Sequence, residues 1–119
     1  MAPKSYQATG SAYYPAPNQL EGGFKDTKEK KLKTLQQFLD GKADYVSVAM
    51  DKYAHIPYGT VVTIPEIEAK YKRPIEFRVV DTGGSFKHKG FTRIDICVKD
   101  LHASLDPVLN GTLTLNFNF

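Results

Sequence analysis

The sequence predicts a small, mainly β protein: a single domain built as a six-stranded β-barrel with one or two short helices. Three observations carry this. A chain of 119 residues suits one hydrophobic core and is short for two. Six segments rich in β-branched and aromatic residues recur along it, separated by glycine, proline and asparagine turn signals. Only two short windows have the character of a helix.

In order, SYQATGSAYY at 5–14 reads as a first strand that stops at Pro15-Ala16-Pro17. A loop with Leu20-Glu21-Gly22-Gly23 and a run of lysines follows. Leu32, Leu35, Phe38 and Leu39 then keep helical spacing, with Gly41 placed to end that helix. The remaining strands are YVSVAM at 45–50, TVVTI at 60–64, IEFRVV at 75–80, RIDICV at 93–98 and TLTLNFNF at 112–119. Ile56-Pro57-Tyr58-Gly59, Arg73-Pro74, Thr82-Gly83-Gly84 and Asn110-Gly111 supply the turns. DLHASLD at 100–106 predicts a short helix capped by Asp100 and halted before Pro107.

Composition narrows the class of function. Apolar residues make up 41% and charged residues 24%, which argues against a disordered chain or a coiled coil. No window approaches the roughly 18 uninterrupted apolar residues of a membrane helix, so no membrane span is expected. The single cysteine, Cys97, cannot form an internal disulfide, and the opening MAPKS lacks the apolar stretch of a secretory signal. The net charge is +3, with lysines gathered in FKDTKEKKLK at 24–33 and FKHKG at 86–90. These runs read as solvated surface, and without a nucleic-acid motif beside them no nucleic-acid partner is expected. His55, His88 and His102 are dispersed and lack metal-ligand spacing, so neither metal nor cofactor is expected.

The aspartates hold the chemistry. Along RIDICV, Ile94, Ile96 and Val98 share one face of the strand while Arg93, Asp95 and Cys97 share the other. Along YVSVAM, Val46, Val48 and Met50 form the apolar row, and Ser47 and Ala49 lead along the opposite face to Asp51. Small residues beside a carboxylate leave room for a ligand. Asp81 ends its strand just before two glycines, which allow a close approach to the backbone. One aspartate at a strand end is ordinarily a turn or cap residue. Three at strand boundaries can instead be gathered by a barrel, where desolvation and mutual repulsion would raise at least one pKa, as a general acid requires.

Two known patterns bear on this. Val79-Val80-Asp81-Thr82-Gly83 resembles the aspartic protease motif, and the length would suit a retroviral-type homodimer. However, Gly84 stands where that family has serine or alanine, and no later apolar pair directly precedes a glycine. A second pattern runs through Ala49-Met50-Asp51, Ile56-Pro57-Tyr58-Gly59-Thr60-Val61-Val62, Val80-Asp81-Thr82-Gly83-Gly84 and Arg93-Ile94-Asp95-Ile96. In residues 45–119 this order resembles the 3D (three-aspartate) domain of lytic transglycosylase A and of the stationary-phase survival proteins related to resuscitation-promoting factors.

The resemblance implies a double-psi β-barrel, related in fold to expansins, barwin-like proteins and family 45 endoglucanases, and a secreted or periplasmic, cell-wall location. It makes Asp51, Asp81 and Asp95 the three aspartates, with Asp95 matching the catalytic acid. Tyr13, Tyr14, Thr82, Gly83, Gly84, Lys87 and Arg93 are the candidate substrate contacts. Asp81 and Asp95 are expected to face one another across an open groove, with Asp51 on the same rim. Two departures stand out: Lys87, His88 and Lys89 lengthen the loop between Asp81 and Asp95, and residues 15–44 form an insertion without counterpart.

Three functions compete. A lytic transglycosylase would use Asp95 to cleave peptidoglycan with formation of a 1,6-anhydro sugar. An inverting hydrolase of a β-1,4-glucan would need a second carboxylate, Asp51 or Asp81, with Glu21 in reserve. A non-catalytic, expansin-like binding module would need only a polar groove and stacking aromatics. In each, a polysaccharide is the partner and the protein acts as a monomer.

Overall fold

The computed structural model describes residues 3–14, 26–28, 30–82 and 89–118. Six strands close into a barrel: β1 (Pro3–Tyr13), β2 (Val46–Met50), β3 (Thr60–Thr63), β4 (Phe77–Thr82), β5 (Arg93–Cys97) and β6 (Thr112–Asn118), arranged β1-β5-β2-β4-β3-β6. β1 is long enough to serve two partners. Its first half pairs antiparallel with β6 and its second half parallel with β5, and Thr9 stands in register with both Thr112 and Arg93. The second parallel pair is β2 with β4.

Alternation fills the interior as expected. Val46, Val48 and Met50, then Ile94, Ile96 and Val98, then Leu113, Leu115 and Phe117 all point into one core. At the handover from β6 to β5 the chain is too tight for any side chain. A Cβ on Gly10 would lie 2.4 Å from the Leu109 carbonyl oxygen and 2.5 Å from Leu113 Cδ1. Tyr6 stacks on Phe91 at 4.3 Å, and both meet the Phe117 ring edge-on, adding an aromatic cluster to that core.

Strand directions sort the connections. The starts of β2, β4 and β6 and the ends of β1, β3 and β5 share one end of the barrel, and the three α-helices join strands there. α1 (Leu35–Leu39) is shorter than the span predicted from Leu32, because Thr34 starts it with a reciprocal capping box to Gln37. Gly41, at φ +76°, follows its end as expected. α3 (Leu101–Ser104) is capped by the Asp100 side chain on the Ala103 amide, as predicted.

Between them lies α2 (Pro65–Tyr71), so the described residues hold three short α-helices where one or two were expected, with a 3-10 turn at Lys52–Ala54. α2 has proline in its first turn, Glu66 and Glu68 beside it and Lys70 near its end, all favourable to a helix dipole. No helix among the described residues is long and apolar enough to cross a membrane.

Candidate functional site

The opposite end of the barrel collects the end of β2, the end of β4 and the start of β5, and with them the three aspartates. Register then places two of them on one wall. Ser11 on β1 pairs with Asp95 on β5, Asp95 with Ala49 on β2, and Ala49 with Asp81 on β4, a lateral row across four adjacent strands. Cross-strand partners share a face, so this row lies on the outer side, away from Val48 and Ile96.

Asp81 reaches that side only through a β-bulge. Val48 pairs with Val79, but the next residue, Ala49, pairs with Asp81, so Val80 is extra. Without it Asp81 would share the inward face of Val79; with it, the carboxyl turns outward. Asp81 and Asp95 therefore stand side by side with Ala49 between them, about 10 Å apart at two strand spacings. They do not face one another across a groove.

A second layer covers part of this wall. Ser47, Ala49, Val80 and Cys97 are buried although they belong to the outer side. Residues 26–28 and 30–34 reach Ser47 and Val80: Lys33 exchanges hydrogen bonds with Ser47, its amide donating to Ser47 Oγ and its carbonyl accepting from the Ser47 amide, both at 2.9 Å. Thr27 donates to the Val80 carbonyl through its amide at 3.3 Å and its hydroxyl at 2.9 Å. Asp26 is thereby brought beside Asp81.

Asp95 is half-buried, and burial pushes its carboxyl above the usual range against the opposing pull of the Arg93 guanidinium. The Ser11 hydroxyl donates to Asp95 Oδ1, and Arg93 Nη2 donates to Ser11 Oγ at 3.5 Å. Asp81 is also pushed up, first by burial and then by the charge of Asp26, while the Thr82 amide and the Tyr13 hydroxyl pull the other way. The Thr82 amide donates to Asp81 Oδ1 at 2.9 Å.

Tyr13 turns its hydroxyl into this wall. The oxygen is buried and meets hydrogen-bond geometry with no described residue, although it lies close enough to Asp81 and Cys97 to lower the proton affinity of both. Burial raises the phenol's own pKa, and the charges of Cys97, Asp81, Asp95 and Asp26 raise it further. Burial likewise pushes the Cys97 thiol up to about 12, in keeping with a packed small residue.

Asp51, at the same end, is held differently. It is 3% exposed, and its carboxyl accepts the amides of Tyr53 at 3.0 Å and Gly90 at 2.9 Å, tying the 3-10 turn to the turn before β5. Tyr14 is exposed just past β1, and Thr82 is exposed at the end of β4. Gly83, Gly84, Lys87 and Glu21 lie outside the described residues.

Sequence reasoning missed Ser11, Asp26 and Tyr58. Ser11 becomes visible only once β1 and β5 are in register. Asp26 sits in a lysine-rich run that reads as solvated surface, yet it is 6% exposed.

A cleft of about 350 Å³ opens at the helix end, lined by Gln36, Lys70, Tyr71, His102, Leu105 and Asp106 among others. Its carboxyl is spoken for: although burial works against it, bonds from Lys70 and Tyr71 hold Asp106 below the usual range. That suits a structural ion pair better than an acid catalyst. Among the described residues, no three acidic, histidine or cysteine side chains are placed to hold a metal ion. No protein-family model matches the chain, and no curated protein matches it.

Proposed function

We propose that the protein cleaves a cell-wall polysaccharide by general acid–base catalysis, acting as a lytic transglycosylase on peptidoglycan outside the cell membrane. The observation that carries the reading is Asp95: a half-buried carboxyl on an outer wall, held above its usual range by burial and oriented by Ser11 and Arg93. The closed barrel with two parallel strand pairs supports a double-psi fold, and the motif order through Asp51, Asp81 and Asp95 supports the glycan class.

Asp95 donates its proton to the glycosidic oxygen, and the carboxylate so formed accepts the proton of the muramyl 6-hydroxyl as that oxygen attacks C1. The product is a 1,6-anhydro end. Asp81, raised by burial as Asp95 is, hydrogen-bonds the sugar beside the scissile bond, and exposed Thr82 and Tyr14 contact the chain. Purified sacculi digested with the protein should yield muropeptides with anhydro ends by mass spectrometry. Absence of any cleavage would overturn the reading.

The spacing of the row favours one alternative. Carboxyl groups about 6.5–9.5 Å apart suit an inverting hydrolase that holds water between them. Asp95 and Asp81, two strands apart, are near that range. Release of reducing ends instead of anhydro ends would select this version.

A further inference from the structure

The insertion without counterpart in the three-aspartate pattern contributes a group of its own to the acid wall. The Asp26 side chain accepts the amides of Lys28 at 2.9 Å and Lys30 at 3.0 Å on Oδ1, and the Tyr58 hydroxyl on Oδ2. Three donors point at it and it donates to none of them, the pattern of a carboxylate. Its neighbour Thr27 bonds twice to the Val80 carbonyl, the peptide group that leads directly into Asp81. From the other flank Gly59, next to Tyr58, donates to the Val79 carbonyl at 2.7 Å. Two loops thus clasp β4 at its bulge and hold Asp26 in a fixed place.

We propose that Asp26 is a positioning residue for Asp81: its fixed negative charge, clasped to the β4 bulge, biases Asp81 toward its protonated form, which offers substrate a hydrogen bond beside the proton donor Asp95. The groups around Asp81 are consistent with this. Asp26 and Tyr58 on the two loops, Tyr13 on β1 and Cys97 on β5 stand within electrostatic reach of it, while the Thr82 amide bonds it from its own strand. The Lys28 ammonium rests over the Tyr58 ring, 4.9 Å from its centre. Burial and the Asp26 charge both push Asp81 up. The inference rests on reading Asp81 as part of an acid–base site, but its test needs no substrate.

The test is carboxyl-carbon NMR titration of Asp81 in the full chain, in wild type, Asp26→Asn, Asp26→Ser and Tyr58→Phe. Both Asp26 variants keep an oxygen that can accept the Lys28 amide, and both remove the charge. Tyr58→Phe removes a hydrogen bond and keeps the charge. The Asp81 midpoint should move down in the two Asp26 variants and should not fall in Tyr58→Phe. Amide-exchange protection of Thr27 reports whether the clasp still holds.

An unchanged midpoint in a clasped Asp26 variant overturns the proposal, as does an equal fall in Tyr58→Phe. Loss of the clasp in both uncharged variants also overturns it, because Asp26 would then be a fastener. Should sacculi remain uncut while the midpoint still falls, the catalytic reading fails and this inference stands.

Discussion

Gly10→Ala places a methyl group where β1 passes from one partner strand to the other. The new Cβ would stand 2.4 Å from the Leu109 carbonyl oxygen and 2.5 Å from Leu113 Cδ1. The leucine methyl can swing away, but Leu109 is fully buried and its carbonyl belongs to the backbone turn leading into β6. Overpacking a filled core costs about 1–3 kcal/mol. With a backbone atom as one obstacle we expect the upper end, about 3 kcal/mol, which for a chain of this size lowers the melting temperature by roughly 10 °C.

Urea and thermal melts measure this directly, and the denaturant slope should stay constant. Leu113→Ala alone should cost about 2–5 kcal/mol. Combined with Gly10→Ala it should cost less than the sum, because the side-chain half of the clash is gone and the Leu109 half remains. A Gly10→Ala protein within about 0.5 kcal/mol of wild type would refute the packing argument. Because Ser11 is the next residue and bonds Asp95, the same variant should also disturb the Asp95 titration.

Thr34→Ala removes the capping box of α1 and should cost about 1 kcal/mol in a urea melt; no change would mean that α1 is held by packing alone. Glu66 feels burial pushing its carboxyl up, but the Thr114 amide and hydroxyl bonded to it prevail and hold it below the usual glutamate range. A lowered carboxyl contributes fully above its unfolded pKa and loses that contribution as pH falls below it. Stability should therefore drop as the solution is acidified through about pH 4, and Glu66→Gln should flatten that part of the curve; parallel curves would remove Glu66 from the account. Cys97, buried with its thiol pushed up to about 12, should resist iodoacetamide at pH 8 in the native protein and react once urea unfolds it. Rapid native labelling would contradict its burial.

The strands were legible because alternation and turn residues agreed. Val46-Ser47-Val48-Ala49-Met50 and Ile94-Asp95-Ile96 show inside and outside directly. The bulge was not, because Val79 and Val80 are both apolar and both buried, one toward the core and one beneath the Thr27 loop. Pattern alone cannot say which of the two is extra, and so cannot say where Asp81 points. α2 was missed for a related reason: Ile67 is its single fully buried side chain, and no side chain caps its start, leaving Pro65, Glu66 and Glu68 as quiet signals.

Of the candidate acids, Asp95 could be assigned to the outer face from its strand alone. Asp51 looked equivalent in sequence, and only the tertiary contact to Gly90 reveals that its carboxyl fastens two turns. Asp26 was hidden by its neighbours, since lysines on both sides suggest solvent while three hydrogen bonds hold its carboxyl in a buried place.

The central claim is that Asp95 is the proton donor, and Asp95→Asn tests it most directly because it keeps shape and an acceptor for Ser11 while removing the ionisable proton. A carboxyl raised by burial stabilises the fold below its unfolded pKa and loses that contribution as pH rises through its folded value, so at neutral pH the substitution should leave the melting temperature unchanged or slightly higher. The rate of muropeptide release from sacculi, measured beside that melting temperature, should fall by roughly 10²- to 10⁴-fold. Release within twofold of wild type from a fully folded Asp95→Asn protein would contradict the account.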